Sequence, residues 1–168
     1  GEGYHAVGSM TSKLLKHSIC FELDENNRSI IKKNFHLNKI FENFDIYGKA
    51  DNNFIDIVSN KIELKKSLFL IDIEGDEFKI LDRKNLKILK NSYLIIEIHH
   101  FYSTEKKYKN LFENLEKNFN LKFIKTGNRQ YSNFKILDKF NDDEKWLMMS
   151  ESRSSTMKWL ICEPKVLF

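Results

Sequence analysis

Proline is nearly absent from this 168-residue chain: Pro164 is the single example, and there are only six glycines and two cysteines. Scarce Pro and Gly beside abundant Lys, Asn and Ile read as a compositional bias of the coding genome. Cys20 and Cys162 lie in apolar surroundings (SICFEL and WLICEP) and form no CxxC pair. That excludes a disulfide framework or zinc knuckle and points to buried free thiols in a reducing compartment, taken as the cytoplasm. Long apolar runs are also missing; the longest are about four residues, too short to span a bilayer. Arginine is scarce, with Arg28, Arg83, Arg129 and Arg153 the only four among 28 basic residues. Lysines are spread along the chain among 17 Asn, so the net charge of +4 is not concentrated as a nucleic-acid footprint would be. There is no initiator Met, signal peptide or basic-then-apolar leader; Gly1 opens the chain abruptly.

What is present is a core. Apolar residues make up 41% and aromatics 13%, with 14 Phe, which argues against intrinsic disorder. The length suits one domain over residues 1–168, with no linker. The tripeptide Lys-Trp-Leu occurs at 145 and again at 158, too little to make a repeat.

Helical and strand signals alternate, as in an α/β domain with a mostly parallel sheet. Val7, Met10, Leu14 and Leu15 share a helix face. Strands are expected at 18–22, 44–47, 67–73, 92–98, 121–125 and 157–162. The run SLFLIDI at 67–73 is nearly continuous apolar sequence, as expected when helices cover both sheet faces. Helices are expected over 25–36, with Ile30, Ile31 and Phe35 inward; over the stretch holding Phe78, Leu81, Leu86 and Leu89; and through Tyr108, Leu111, Phe112, Leu115 and Phe119. The roughly 30 residues between the last two strands, including 129–143, are polar and poorly periodic.

Acidic and glycine-rich features fall where strands should end, which is where ligands bind in open α/β sheets. Gly1-Glu2-Gly3-Tyr4-His5-Ala6 fits G-x-G-x-x-A ahead of a helix whose free N–H groups can meet a ligand. No strand precedes it. Glu22 ends the first strand about 20 residues on, where an acid accepts hydrogen bonds from a ribose diol. Asp24, just before Glu25, is read as a helix cap and Glu22 as the ligand residue. Asp72-Ile73-Glu74-Gly75-Asp76-Glu77 places four acids in six residues at the end of a buried strand. That is costly unless they face a cleft or a ligand. Asp76 or Glu77 can serve the next helix dipole, but Asp72 still belongs to the strand. Glu97 and the pair His99-His100 are further candidates. Adjacent histidines on a strand point to opposite faces, so at most one enters a cleft. Asp72, Glu74 and His99 can be read as metal ligands, but they lack a recognisable spacing signature and no metal is assigned.

GEGYHAVGSM, FELD, LIDIEGDEF and LIIEIHHF together resemble a class I S-adenosylmethionine-dependent methyltransferase. More narrowly they are similar to the FkbM-like methyltransferases, whose fourth-strand motif runs as D-x-E-G-x-E, here Asp72 to Glu77. The resemblance covers residues 1 to about 100 well and the SSTMKWLICEP tail more weakly. It implies a Rossmann-like, doubly wound, mostly parallel sheet with helices on both faces and an antiparallel last strand. The family's first strand would then lie upstream of Gly1 and be missing from this chain.

By that resemblance Gly1, Glu2, Gly3 and Tyr4 lie against the methionine part of the cofactor. Glu22 with Leu23 holds the ribose, and Ala50 and Asp51 border the adenine. Asp72, Glu74 and His99 are the candidate catalytic residues, with Asp72 also beside the methyl sulfonium. The implied reaction is O-methylation of a small molecule or sugar. Amino-group methylation of bases would call for [DN]-P-P-[FYW], and cytosine-C5 chemistry for Pro-Cys; neither is present. Ribose methylation of RNA is the closer rival. A nicotinamide dehydrogenase leaves the acidic cluster unexplained, and a non-catalytic Rossmann-like interaction domain stays open.

Overall fold

The computed structural model describes residues 3–125, 130–150 and 158–165. The chain divides into two compact units, Gly1–Ser67 with Lys79–Asn91, and Leu68–Phe78 with Ser92–Phe168.

The first unit opens with α1 (Tyr4–Thr11), followed by β1 (Ser18–Phe21), α2 (Glu25–Leu37), β2 (Phe44–Tyr47) and α3 (Phe54–Ser59). α2 starts where the sequence says it should. Asp24 caps it, its Oδ1 accepting from the Asn27 N–H at 2.9 Å. β1 and β2 pair in parallel, with Ser18 opposite Phe44 and Phe21 opposite Tyr47. Val7, Ile31 and Phe35 form the buried centre, with Met10, Cys20, Phe44 and Ile46 packed against it. Phe35 stacks on Phe44 with ring centres 4.2 Å apart.

The second unit holds β3 (Leu68–Ile71), β4 (Tyr93–Ile98), α6 (Glu105–Asn118), β5 (Phe119–Lys125), α7 (Asp142–Met149) and β6 (Lys158–Pro164). Its sheet runs β3-β4-β6-β5. β3 and β4 are parallel, and β6 is antiparallel to both β4 and β5, so the last strand reverses as expected. Leu94, Ile96, Ile98, Leu160 and Cys162 are buried on this sheet. Phe112 of α6 stacks on Phe123 of β5 at 5.4 Å. Among the described residues β1 pairs only with β2, and β3 only with β4.

Several local expectations need correction. α1 stops at Thr11, so Leu14 lies beyond it and is exposed, as is Ile30 on α2. The single helix expected through Phe78 to Leu89 is two: α4 (Glu77–Ile80) and α5 (Arg83–Ile88). Asp82 separates them by capping α5, its Oδ1 accepting from the Asn85 N–H at 2.7 Å. β3 is shorter than its apolar run and only half-buried. Leu68 and Leu70 are exposed while Ile71 is covered, which is the alternation of an edge strand. α7 lies in the stretch read as irregular. Asn141 and Glu144 start it with a reciprocal capping box. No helix among the described residues is long and apolar enough to cross a membrane.

Candidate functional site

The second unit gathers acids around one buried histidine. β3 delivers Asp72 at its carboxyl end, and the loop that follows turns sharply through two left-handed residues, Glu74 (φ 51°) and Gly75 (φ 98°). A Cβ on Gly75 would stand 2.7 Å from Tyr102 Cβ, so glycine is required by space as well as by torsion. The turn sends the Glu74 side chain back toward the neighbouring strand. β4 delivers Glu97, and His99 follows two residues later. Side chains two apart on an extended chain share a face, so both enter the cluster.

His99 is the centre. Its Nε2 lies 3.4 Å from Glu74 Oε2, 3.6 Å from Asp72 Oδ1 and 3.6 Å from Glu97 Oε2. Its Nδ1 stands 3.3 Å from Glu77 Oε1. That same Glu77 oxygen accepts the His99 backbone N–H at 2.9 Å, and Glu77 Oε2 accepts the Gly75 N–H at 2.8 Å. Glu77 therefore ties the acidic loop to the end of β4, beyond any helix-dipole role. Side chains of Glu77, Glu97 and His99 are 0–1% exposed, whereas Asp72 and Glu74 are 44% and 71% exposed. The site thus has a buried floor and an open acidic mouth. Phe101 meets the imidazole edge-on at 5.9 Å, and the Tyr102 ring lies 6.2 Å from it. His100 is outside the cluster.

Of the residues singled out from sequence, Asp72, Glu74, Glu97 and His99 come together. Glu77 joins them. Glu97 had a signal, since it is an acid two residues before His99 in an apolar strand. Glu77 had less, because an acid at a helix start is ordinarily explained by the dipole.

The first unit carries the other expected residues, apart from Gly1 and Glu2, which lie outside the described residues. Gly3 caps α1 with φ 75°, and a Cβ there would meet Ile31 of α2 at 3.0 Å. Tyr4 is exposed. Glu22 follows β1 and is half-buried; its Oε1 accepts the Asp24 N–H at 2.9 Å. Arg28 Nη1 donates to the carbonyls of Glu22 and Leu23 at 3.0 and 2.7 Å, fixing that turn. Asp51 Oδ1 accepts the Asn53 N–H at 2.8 Å ahead of α3, a turn-forming bond beside half-buried Ala50.

No family model matches the chain, and no curated protein matches it. Solved structures do. An uncharacterized protein from Listeria monocytogenes matches 99% of this chain and 59% of its own length, with TM-score 0.55 and 11% identity. A putative O-methyltransferase from Klebsiella pneumoniae matches 98% of this chain and 70% of its own, with TM-score 0.54 and 10% identity. The chain has a methyltransferase fold. An O-methyltransferase from Bacillus cereus in complex with SAH matches 89% of this chain and 63% of its own, at TM-score 0.51 and 8% identity. The α/β arrangement of strands and helices is thus Rossmann-like, as these methyltransferases are. The chain spans less than two thirds of the first of these structures.

Proposed function

We propose that the chain works as one FkbM-like, S-adenosylmethionine-dependent methyltransferase domain over residues 1–168, acting on a hydroxyl of a small molecule or sugar. The observation that carries this reading is the convergence of Asp72 and Glu74, both open to solvent, on the buried His99 at the end of parallel strands. The methyltransferase fold supports it. Free Cys20 and Cys162 support a reducing compartment, which we take to be the cytoplasm.

The cofactor supplies an electrophilic methyl group on a sulfonium with an excellent leaving group. The residues we assign to holding it are Gly1, Glu2, Gly3, Tyr4, Glu22, Leu23, Ala50, Asp51 and Asp72. Two of these fit on local grounds. Gly3 combines a left-handed backbone with the N-terminus of α1, and Glu22 is held in one orientation by the Asp24 N–H. Asp72, Glu74 and His99 are the residues we assign to the acceptor. With the cofactor bound, the acceptor hydroxyl would displace the sulfur at the methyl carbon in line and give up its proton to a base. Asp72 and Glu74 are the bases an acceptor can reach directly, and His99 Nε2 behind them is placed to share the proton.

Replacing Asp72 with Asn tests this. The variant is expected to fold, since Asp72 is half-exposed, and to lose at least about 100-fold in methyl transfer. Transfer at the parental rate would sink the assignment of Asp72.

A further inference from the structure

The geometry points to a divalent first-row transition cation bound by Asp72, Glu97 and His99, with Glu74 closing the site from the solvent side. Oxygen or nitrogen donors of these three lie within 4.8 Å of one another. Acidic clusters are common, and this one alone would prove little. The second observation is His99 Nε2, which is buried, aimed into the acids and without a hydrogen-bond partner among the described residues.

The distances around His99 Nε2 fit a coordination shell better than a hydrogen-bonded cluster. An N–H···O bond has its optimum near ~2.9–3.0 Å and weakens beyond ~3.2 Å. The three Nε2-to-carboxylate separations are 3.4, 3.6 and 3.6 Å, all too long. Ligands about 2.1 Å from a common ion are separated by ~3.0 Å at right angles and ~3.4 Å at tetrahedral angles. The observed spacing is therefore close to that of atoms sharing an ion.

The surroundings agree. A ligating imidazole almost always presents its other nitrogen to a carboxylate or carbonyl, fixing its tautomer and orientation. Here Glu77 Oε1 stands 3.3 Å from Nδ1, and Glu77 is itself held by the N–H groups of His99 and Gly75. Glu77 and Glu97 are 0–1% exposed, and a cation beside the imidazole would offset part of the cost of burying carboxylates. The exposed Asp72 and Glu74 provide the entry path. One nitrogen with carboxylate oxygens and no thiolate suits Mn²⁺ or Zn²⁺ better than Cu(I). Metal binding stands on these residues alone. With the ion bound, His99 Nε2 is a ligand and not a proton acceptor, and easing loss of the acceptor's proton would fall to the ion; that role rests on the methyl-transfer reading above.

Two titrations of the whole chain test the site, ZnCl2 by calorimetry and MnCl2 by electron paramagnetic resonance. One ion per chain is expected, and Mn²⁺ should show coupling to an imidazole nitrogen by electron spin echo modulation. Asp72→Asn should weaken binding tenfold or more, and Glu74→Gln by less, with unchanged circular dichroism in both, as these side chains are exposed. Stoichiometric binding that depends on Asp72 with nitrogen coupling supports the site. An absence of stoichiometric binding, affinity unmoved in Asp72→Asn, or Mn²⁺ without nitrogen coupling each overturns it. S-adenosylmethionine binding, titrated separately on the same protein, reports on the methyltransferase reading without touching this result.

Discussion

Gly75 follows another left-handed residue, and that pairing explains how four acids can reach one imidazole. A chain leaving β3 in ordinary extended or helical torsions would carry Glu74 away from β4; the turn brings it back. Glu74 holds φ 51° without being glycine, a conformation costing roughly 1–2 kcal/mol that Glu77 helps to sustain by gripping the Gly75 N–H. Gly75 has no slack at all, because Tyr102 fills the space a side chain would need. Gly75→Ala should therefore destabilise the protein by about 2 kcal/mol or more, combining the torsional cost with displacement of Tyr102. Urea denaturation reads this directly, and an unchanged midpoint would mean the turn is not strained in this way. Sequence shows the glycine and the acids but not the torsion. D-x-E-G-x-E says that acids crowd a strand end, whereas their meeting at His99 depends on a backbone conformation no composition reveals. Cys162 is a simpler case. Its apolar flanks already imply burial, and burial pushes its thiol up to about 12, so it stays protonated in the folded protein.

Elements were legible where apolar spacing and a capping side chain agreed, and misread where only one was weighed. α2 shows agreement, with Asp24 in front of a face that buries Ile31 and Phe35. α4 and α5 show the failure. The apolar spacing through Phe78 and Leu89 suggests one helix, but Asp82 offers its carboxylate to a new N-terminus and breaks the run. α7 was hidden for the converse reason. Its capping box is written in Asn141 and Glu144, but it buries no residue, so no apolar period marks it. A polar tie across elements is as hard to foresee. Asp45 of β2 accepts from Lys61 Nζ at 2.7 Å and lies 2.9 Å from His17 Nε2, joining residues 28 and 16 positions away. The Lys61 hydrogen bond, with the smaller contribution of His17, holds the Asp45 carboxyl below its ordinary value, against a modest opposing effect of burial. A depressed folded pKa means the tie contributes fully above the unfolded value of about 3.9 and is lost as pH falls through the folded one. Asp45→Asn should accordingly lower the urea midpoint at about pH 6, and the difference from the parent should shrink toward about pH 3. A gap that persists unchanged at low pH would show that Asp45 acts by packing.

For the molecule as a whole, composition and order of elements identified the class more securely than any single motif. Alternating helices and buried strands lead to an α/β domain with a mostly parallel sheet before any site is considered; the reversed last strand came with the family resemblance, and β6 does run antiparallel to β4 and β5. The half-covered β3 was less visible. Leu68 and Leu70 satisfy an apolar run, yet which strands flank β3 depends on pairing over long sequence separations. Fold does not assign chemistry, and relatives at 8–11% identity share shape alone. Thermal denaturation can separate the three readings that remain. An S-adenosylmethionine-binding domain gains about 2.7 kcal/mol from ligand at 100 times its Kd. For a chain of this size that corresponds to a rise of roughly 5–10 °C in Tm. S-adenosylmethionine and its demethylated product should both produce the rise, and NAD should not. A shift with NAD alone would move the chain to hydride transfer, since a glycine-led helix and an acid after β1 serve that cofactor equally well. No shift with any of the three would leave a Rossmann-like interaction domain, because ligand that binds the folded state must stabilise it.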